Sequence, residues 1–285
     1  MTNQPDLPAE PGARRERPVH PLDRVPPPPH AEAPPPPPRP TRRVEFPSSP
    51  PVVTYTLLTV NVLAFLVDFG LKAMGYGAQG VGPLTLYGAK DNAAILNGQL
   101  WRFVTPLFLH GGLLHIGFNS YFLYLVGRRL EARFGTARFL ALYILSGVGG
   151  VLASFAFSQY NSIGASSALF GLIGAWIPML ARNREVLADT RRQIWRIIEV
   201  IGINLVISFT PGIDIWAHVG GLLAGLALGW LITPRYAVSV PTPDLIRVED
   251  RSSPGAVWLA TAAFAGALIM LIGLVMRLKA GAFGV

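Results

Sequence analysis

Residues 215–233 read IWAHVGGLLAGLALGWLIT, a run that carries no formal charge and is long enough, as a helix, to cross the hydrocarbon core of a bilayer. Its one strongly polar side chain is His218, at the head of Ala217-His218-Val219-Gly220-Gly221-Leu222-Leu223-Ala224-Gly225. Gly221 and Gly225 are four apart and so share a helix face. Such a small-xxx-small face allows the backbone of a neighbouring helix to come close. If that neighbour is the run beginning at Ser166, His218 comes within hydrogen-bond reach of a serine hydroxyl.

Six other runs meet or approach spanning length: about 52 to 75, 109 to 127, 138 to 158, 166 to 181, 194 to 209 and 255 to 276. The composition agrees, with 51% hydrophobic and 14% charged residues in a chain of 285, against charge on roughly a quarter of an ordinary soluble domain. The excess of 24 Lys and Arg over 16 Asp and Glu is broken into short clusters between apolar runs, which argues for a bilayer and against nucleic acid as the partner. Cysteine is absent, so disulfides, thiolate metal sites and a Cys nucleophile are excluded. The reading is an all-α membrane protein with a core of six spans, residues 52–235, and one further C-terminal transmembrane helix within 255–285.

Of the 24 basic residues, 19 fall on the side that receives the N-terminal tail and the turns after spans two, four and six. By the positive-inside bias that side is the cytoplasm, and the C-terminus lies outside. Eighteen of the 26 prolines fall in residues 1–51, which predicts a disordered, proline-rich cytoplasmic tail. No apolar targeting run begins near Met1, and Asp6, Glu10 and Glu16 argue against a transit peptide. The lack of a targeting signal and the Arg, Pro, Gly and Ala bias suit a bacterial plasma membrane. Residues 76–108 are too interrupted to span and predict an interfacial element, with Trp101 and Arg102 at headgroup level. Residues 236–254 read as a cytoplasmic linker.

Five polar positions lie in or at the ends of spans, all on the outer side: His110, His115, Asn119, Ser166 and His218. Polar groups at membrane depth either tie helices together or do chemistry. Ser166 opens an apolar helix in Gly164-Ala165-Ser166-Ser167-Ala168-Leu169-Phe170-Gly171, where it suits an N-terminal cap or, with the helix dipole and free N–H groups behind it, a nucleophile. It is not the G-x-S-x-G elbow of soluble hydrolases, because Ala168 replaces the last glycine. His218 suits a helix–helix tie or a general base. His115 and Asn119, four apart, share a face able to donate to a developing negative charge; a metal site there lacks a third ligand. Asp214, four residues before His218, reads as a cap of span six in preference to a triad member. Asp68 and Glu199 read as interfacial.

Taken together, His110-x4-His115-x3-Asn119, Gly164-Ala165-Ser166-Ser167 and Ala217-His218-x2-Gly221-x3-Gly225, on spans two, four and six, resemble the rhomboid family of intramembrane serine proteases. Trp101-Arg102 and Gly127-x3-Glu131 look like further family marks. The resemblance implies that Ser166 is the nucleophile and His218 the general base, with His115, Asn119 and the Ser166 N–H as the oxyanion hole. It implies a supporting part for His110, packing of Phe170 against the histidine, structural positions for Arg102 and Glu131, and no cofactor or metal. Ser167 departs from the usual glycine and is expected to crowd the site or alter preference. The implied activity is a serine endopeptidase acting on transmembrane protein substrates. The alternatives are an inactive rhomboid-like protein that binds membrane clients and a transporter using Asp68 and Glu199.

Overall fold

The computed structural model describes residues 43–242 and 244–283; the rest, including the proline-rich stretch 1–42 for which composition predicts disorder, lies outside them. Helix α1, Val52–Ala73, starts directly after Pro50-Pro51. Its first turn has no acidic residue of its own. Instead the buried Glu131 reaches across, and its carboxylate accepts the N–H groups of Val53 and Thr54, each at 2.8 Å, and the Thr54 hydroxyl at 2.7 Å. Donors at a helix start have no partner within the helix, and a carboxylate satisfies them while complementing the dipole.

After α1 the chain forms two short helices, α2 (Pro83–Gly88) and α3 (Asn92–Leu96), and two 3-10 turns at Leu100–Phe103 and Thr105–Phe108. This is the interrupted segment that the sequence reads as unable to span. Asp68, near the end of α1, has a defined task here: it accepts from the N–H of Leu84, at 2.7 Å, and from the Thr85 hydroxyl, also at 2.7 Å, and so caps α2.

The expected span 109–127 is not one straight helix. It begins only at Leu113, after Gly111-Gly112, as α4 (Leu113–Phe122), passes through a π turn at Leu123–Gly127, and continues as α5 (Arg128–Phe134). Gly127, the last residue of this turn, lies close to α1: a β-carbon there would be 3.0 Å from the Thr54 side chain. Then follow α6 (Thr136–Phe157), α7 (Ser166–Arg182), α8 (Thr190–Ile207), α9 (Ile215–Ile232) and α10 (Pro254–Phe283). Among the described residues α1, α6, α9 and α10 are long and apolar enough to cross a membrane. Helix α7 has 17 residues, about 25 Å of rise, so at least one of its ends lies below a bilayer surface. Helix α8 starts four residues earlier than the apolar run suggests, which moves Glu199 from a span end to mid-helix, where it is exposed.

Helices α6, α7 and α9 form the centre, joined by Leu142, Tyr143, Ala168, Leu172, Ala175 and Leu228, all fully buried. Lipid tails are as apolar as leucine, so close packing, not escape from water, must hold such helices together. Glycine supplies it. Gly221 and Gly225 of α9 rest on the backbone of α7 at Ser167 and Gly171, with no room for a side chain, and Gly174 of α7 faces the α9 backbone at Leu222 in the same way. Helix α10 packs outside this centre, against α6 and α9; of the seven expected spans, the run 194–209, in α8, is not among the helices long and apolar enough to cross a membrane.

The 236–254 linker differs from expectation. It folds into strands β2 (Tyr236–Thr242) and β3 (Leu245–Asp250), and β1 (Arg43–Glu45), from the end of the proline-rich segment, adds in parallel to β3 to give the order β1-β3-β2. The alternation Ile246-Arg247-Val248-Glu249, with Val248 buried, is a strand pattern hidden among prolines and acids. Pro241 lies where the register breaks between Ser239 and Thr242, on an edge strand, where a missing N–H is tolerated. An Arg138–Asp250 ion pair at 2.8 Å and a bond from the Tyr236 hydroxyl to the Arg133 carbonyl, 2.9 Å, fasten the sheet to the α5–α6 corner.

A Gly225→Leu substitution is expected to force α7 and α9 apart, with a cost of about 1–3 kcal/mol or more and a lower melting temperature in detergent. Gly266→Leu, at an open position on α10, should leave thermal unfolding unchanged.

Candidate active site

Ser166 is the first residue of α7, half-buried, so its N–H lies outside the helix's own hydrogen-bond ladder. The chain enters this turn through Gly164 at φ +130°, a conformation that side-chain-bearing residues rarely adopt. Two further ties hold the approach. The Gly164 N–H donates to the Pro106 carbonyl at 2.9 Å, and Lys90 and Ser162 exchange backbone bonds of 2.9 and 3.1 Å. The Lys90 side chain, fully buried, donates from Nζ to the carbonyls of Ser158, 3.0 Å, and Tyr160, 2.9 Å, and Asn92 also donates to Ser158. Burial lowers the Lys90 ammonium from its ordinary 10.5 to about 8.

His218 lies in the first turn of α9, carried onto Ser166 by the glycine contact. Its Nε2 is 2.8 Å from Ser166 Oγ. Phe170, one turn into α7, stacks on the imidazole with centroids 4.4 Å apart and 19° between planes. Asp214 is the N-cap of α9: one carboxylate oxygen accepts from the N–H groups of Trp216 and Ala217, each at 3.1 Å, and the other from the Ser154 hydroxyl. The other nitrogen of His218, Nδ1, is 2.6 Å from Ser208 Oγ.

His115 of α4 closes the opposite side. A β-carbon placed on Gly164 would lie 2.6 Å from His115 Nε2 and 3.6 Å from Ser166 Oγ, so the imidazole occupies the space that glycine vacates beside the serine. His115 Nδ1 accepts a long bond, 3.4 Å, from the Gly111 N–H. That leaves Nε2 as the protonated nitrogen, a donor on the serine side. Asn119 follows one turn along α4 and is buried. His110, also buried, meets His115 edge-to-face at 5.1 Å, and neither of its ring nitrogens has a hydrogen-bond partner. Among the described residues no third metal-ligating side chain joins this pair.

Arg102 and Glu131 stand apart from this cluster. Arg102 donates to the carbonyls of Ala89 and Leu86, at 2.6 and 3.1 Å, and to the Gln99 side chain at 2.8 Å, and thereby knits the first loop. Ser167 packs its β-carbon opposite Gly150 in the seam between α6 and α7. Two residues that the sequence does not single out join these contacts: Lys90 in the first loop, and Ser208, which neighbours His218 because the chain turns back at Pro211-Gly212 between α8 and α9.

Residues 97–235 match the family model of the Rhomboid domain, so this part of the chain is a rhomboid domain. With this domain and its apolar helices the chain is a multi-pass protein of a lipid bilayer. It is similar to rhomboid protease GluP of Bacillus subtilis (strain 168), with 38% identity over 188 residues that cover 66% of this chain and 36% of the relative. RHOMBOID-like protein 5 of Arabidopsis thaliana is 39% identical over 159 residues, 54% of this chain and 52% of that one. RHOMBOID-like protein 1 of the same plant is 39% identical over 163 residues, 55% and 42%. The match thus spans between about a third and a half of the length of these curated relatives.

The unfolded chain keeps the Lys90 proton up to about pH 10.5, whereas the folded chain releases it near pH 8. For this group the unfolded state binds more protons in that interval, so its contribution to stability rises with pH from 8 to 10.5. The melting temperature of the wild type relative to a Lys90→Met variant should therefore rise across it.

Proposed function

We propose that the chain is an intramembrane serine endopeptidase that cleaves peptide bonds in or next to the transmembrane segments of other membrane proteins. The observation that carries this reading is the 2.8 Å contact of Ser166 Oγ with His218 Nε2 at the start of a short, central helix. His218 takes the Ser166 proton as the oxygen attacks the scissile carbonyl, a contribution of about 10²–10⁴ in rate. The negative charge that forms on the carbonyl oxygen is met by His115 Nε2–H, the Asn119 amide and the Ser166 N–H. His218 then hands its proton to the leaving amine, an acyl-enzyme remains on Ser166, and water releases it by the same steps in reverse.

Hydrolysis in a membrane needs water, and the half-exposed position of Ser166 at the end of 17-residue α7 supports entry of water from an aqueous face. The arginine distribution supports an outward-facing site with the N-terminus in the cytoplasm. Composition supports a bacterial plasma membrane. A substrate helix hides its carbonyls in its own hydrogen bonds, so the preferred segments carry Gly, Pro or other helix-weakening residues near the outer face.

The test is cleavage of a fluorogenic transmembrane substrate in liposomes. Ser166→Ala and His218→Ala should each lower the rate by about 10³-fold or more, and replacing a substrate's helix-breaking residue by leucine should slow the wild type. Cleavage that survives Ser166→Ala contradicts the dyad. A wild type inert on every substrate points to a client-binding relative without activity.

A further inference from the structure

We propose that Ser208 is a positioning residue that fixes the tautomer of His218, through a ladder running from the Asn204 carbonyl to the Ser208 hydroxyl, the imidazole and Ser166. The inference rests on the dyad reading and extends it by a third member at the C-terminal end of α8.

Ser208 follows α8 and is buried. Its Oγ lies 2.6 Å from the Asn204 carbonyl oxygen and 2.6 Å from His218 Nδ1. A hydroxyl owns one hydrogen, and a carbonyl oxygen can only accept. The Ser208 hydrogen therefore points at Asn204, since a second lone pair facing that carbonyl at 2.6 Å would repel it. What Ser208 offers His218 is then a lone pair, and the hydrogen of that contact belongs to Nδ1. With Nδ1 protonated, Nε2 of the neutral ring is bare, and it is Nε2 that faces the Ser166 hydroxyl at 2.8 Å. This is the one tautomer in which His218 is able to accept the serine proton; the other would present an N–H to the nucleophile.

Ser208 thus takes the orienting part that a carboxylate plays in soluble serine hydrolases. A neutral hydroxyl suits this place. An ionised carboxylate wedged between two membrane helices carries a large desolvation cost, and the nearby Asp214 is fully engaged in capping α9 and binding Ser154. Phe170 fixes the plane of the ring from one side, and Ser208 fixes which nitrogen carries the proton.

The test uses the full-length protein in detergent, labelled with 15N at histidine, with the His218 signals identified by their loss in His218→Ala. The wild type should show His218 protonated at Nδ1. Ser208→Ala should populate the Nε2–H form and lower kcat by about tenfold with little change in KM, while Ser208→Thr, which keeps the hydroxyl, should restore both. A role limited to ending α8 would lower thermal stability and leave tautomer and kcat unmoved. A wild-type His218 protonated at Nε2, or a Ser208→Ala enzyme that turns over like the wild type, overturns the proposal. The spectrum needs no proteolysis, so it reads the ladder even if Ser166→Ala still cleaves and the dyad reading falls.

Discussion

The rest of the structure depends on the glycine contact between α7 and α9. Gly221 and Gly225 bring the α9 backbone onto Ser167 and Gly171, and this approach sets the first turns of the two helices side by side. Ser166 and His218 are 52 residues apart in sequence, on helices with no direct connection, and their 2.8 Å contact follows from that seam. In a bilayer the seam must be close to be stable at all, because apolar burial gives no preference for protein over lipid. One requirement therefore serves both folding and the site.

Several charged side chains serve chain geometry. Glu131 caps α1, Asp68 caps α2, Asp91 caps α3, Asp214 caps α9, Arg102 ties the first loop, and Lys90 satisfies the carbonyls that follow α6. These are the backbone groups left unpaired at helix ends, and at membrane depth water does not take their place. The polar side chains gathered around Ser166 then include no carboxylate or ammonium: they are His218, Ser208, His115 and His110. A site built from neutral donors and acceptors avoids the desolvation of a buried charge, and its polarity is set by which nitrogen of each histidine holds the hydrogen.

Much of this was legible in the sequence because membrane spans are written in long apolar runs and because the residues that matter are polar exceptions within them. The Gly221-x3-Gly225 face pointed to a close neighbour, and Asp214 at a helix start pointed to a cap. What was hidden depends on partners far along the chain. Glu131 acts on α1, 77 residues away; Lys90 acts on carbonyls about 70 residues away; and Ser208 reaches His218 only because the 208–214 turn reverses the chain. The β2–β3 hairpin was masked by Pro241, Pro243 and acids, which read as a linker, although period-two alternation was present at 246–249. The π turn at Leu123–Gly127 has no composition signal.

The central claim is that the α7–α9 seam makes one serine, Ser166, chemically unlike the others by placing His218 Nε2 against it. Treatment of the intact protein in detergent with a fluorophosphonate, followed by peptide mass spectrometry, tests this directly. The account predicts a single adduct, on Ser166, that disappears in His218→Ala. An adduct on Ser167 or elsewhere, or labelling of Ser166 that is indifferent to the loss of His218, would contradict it.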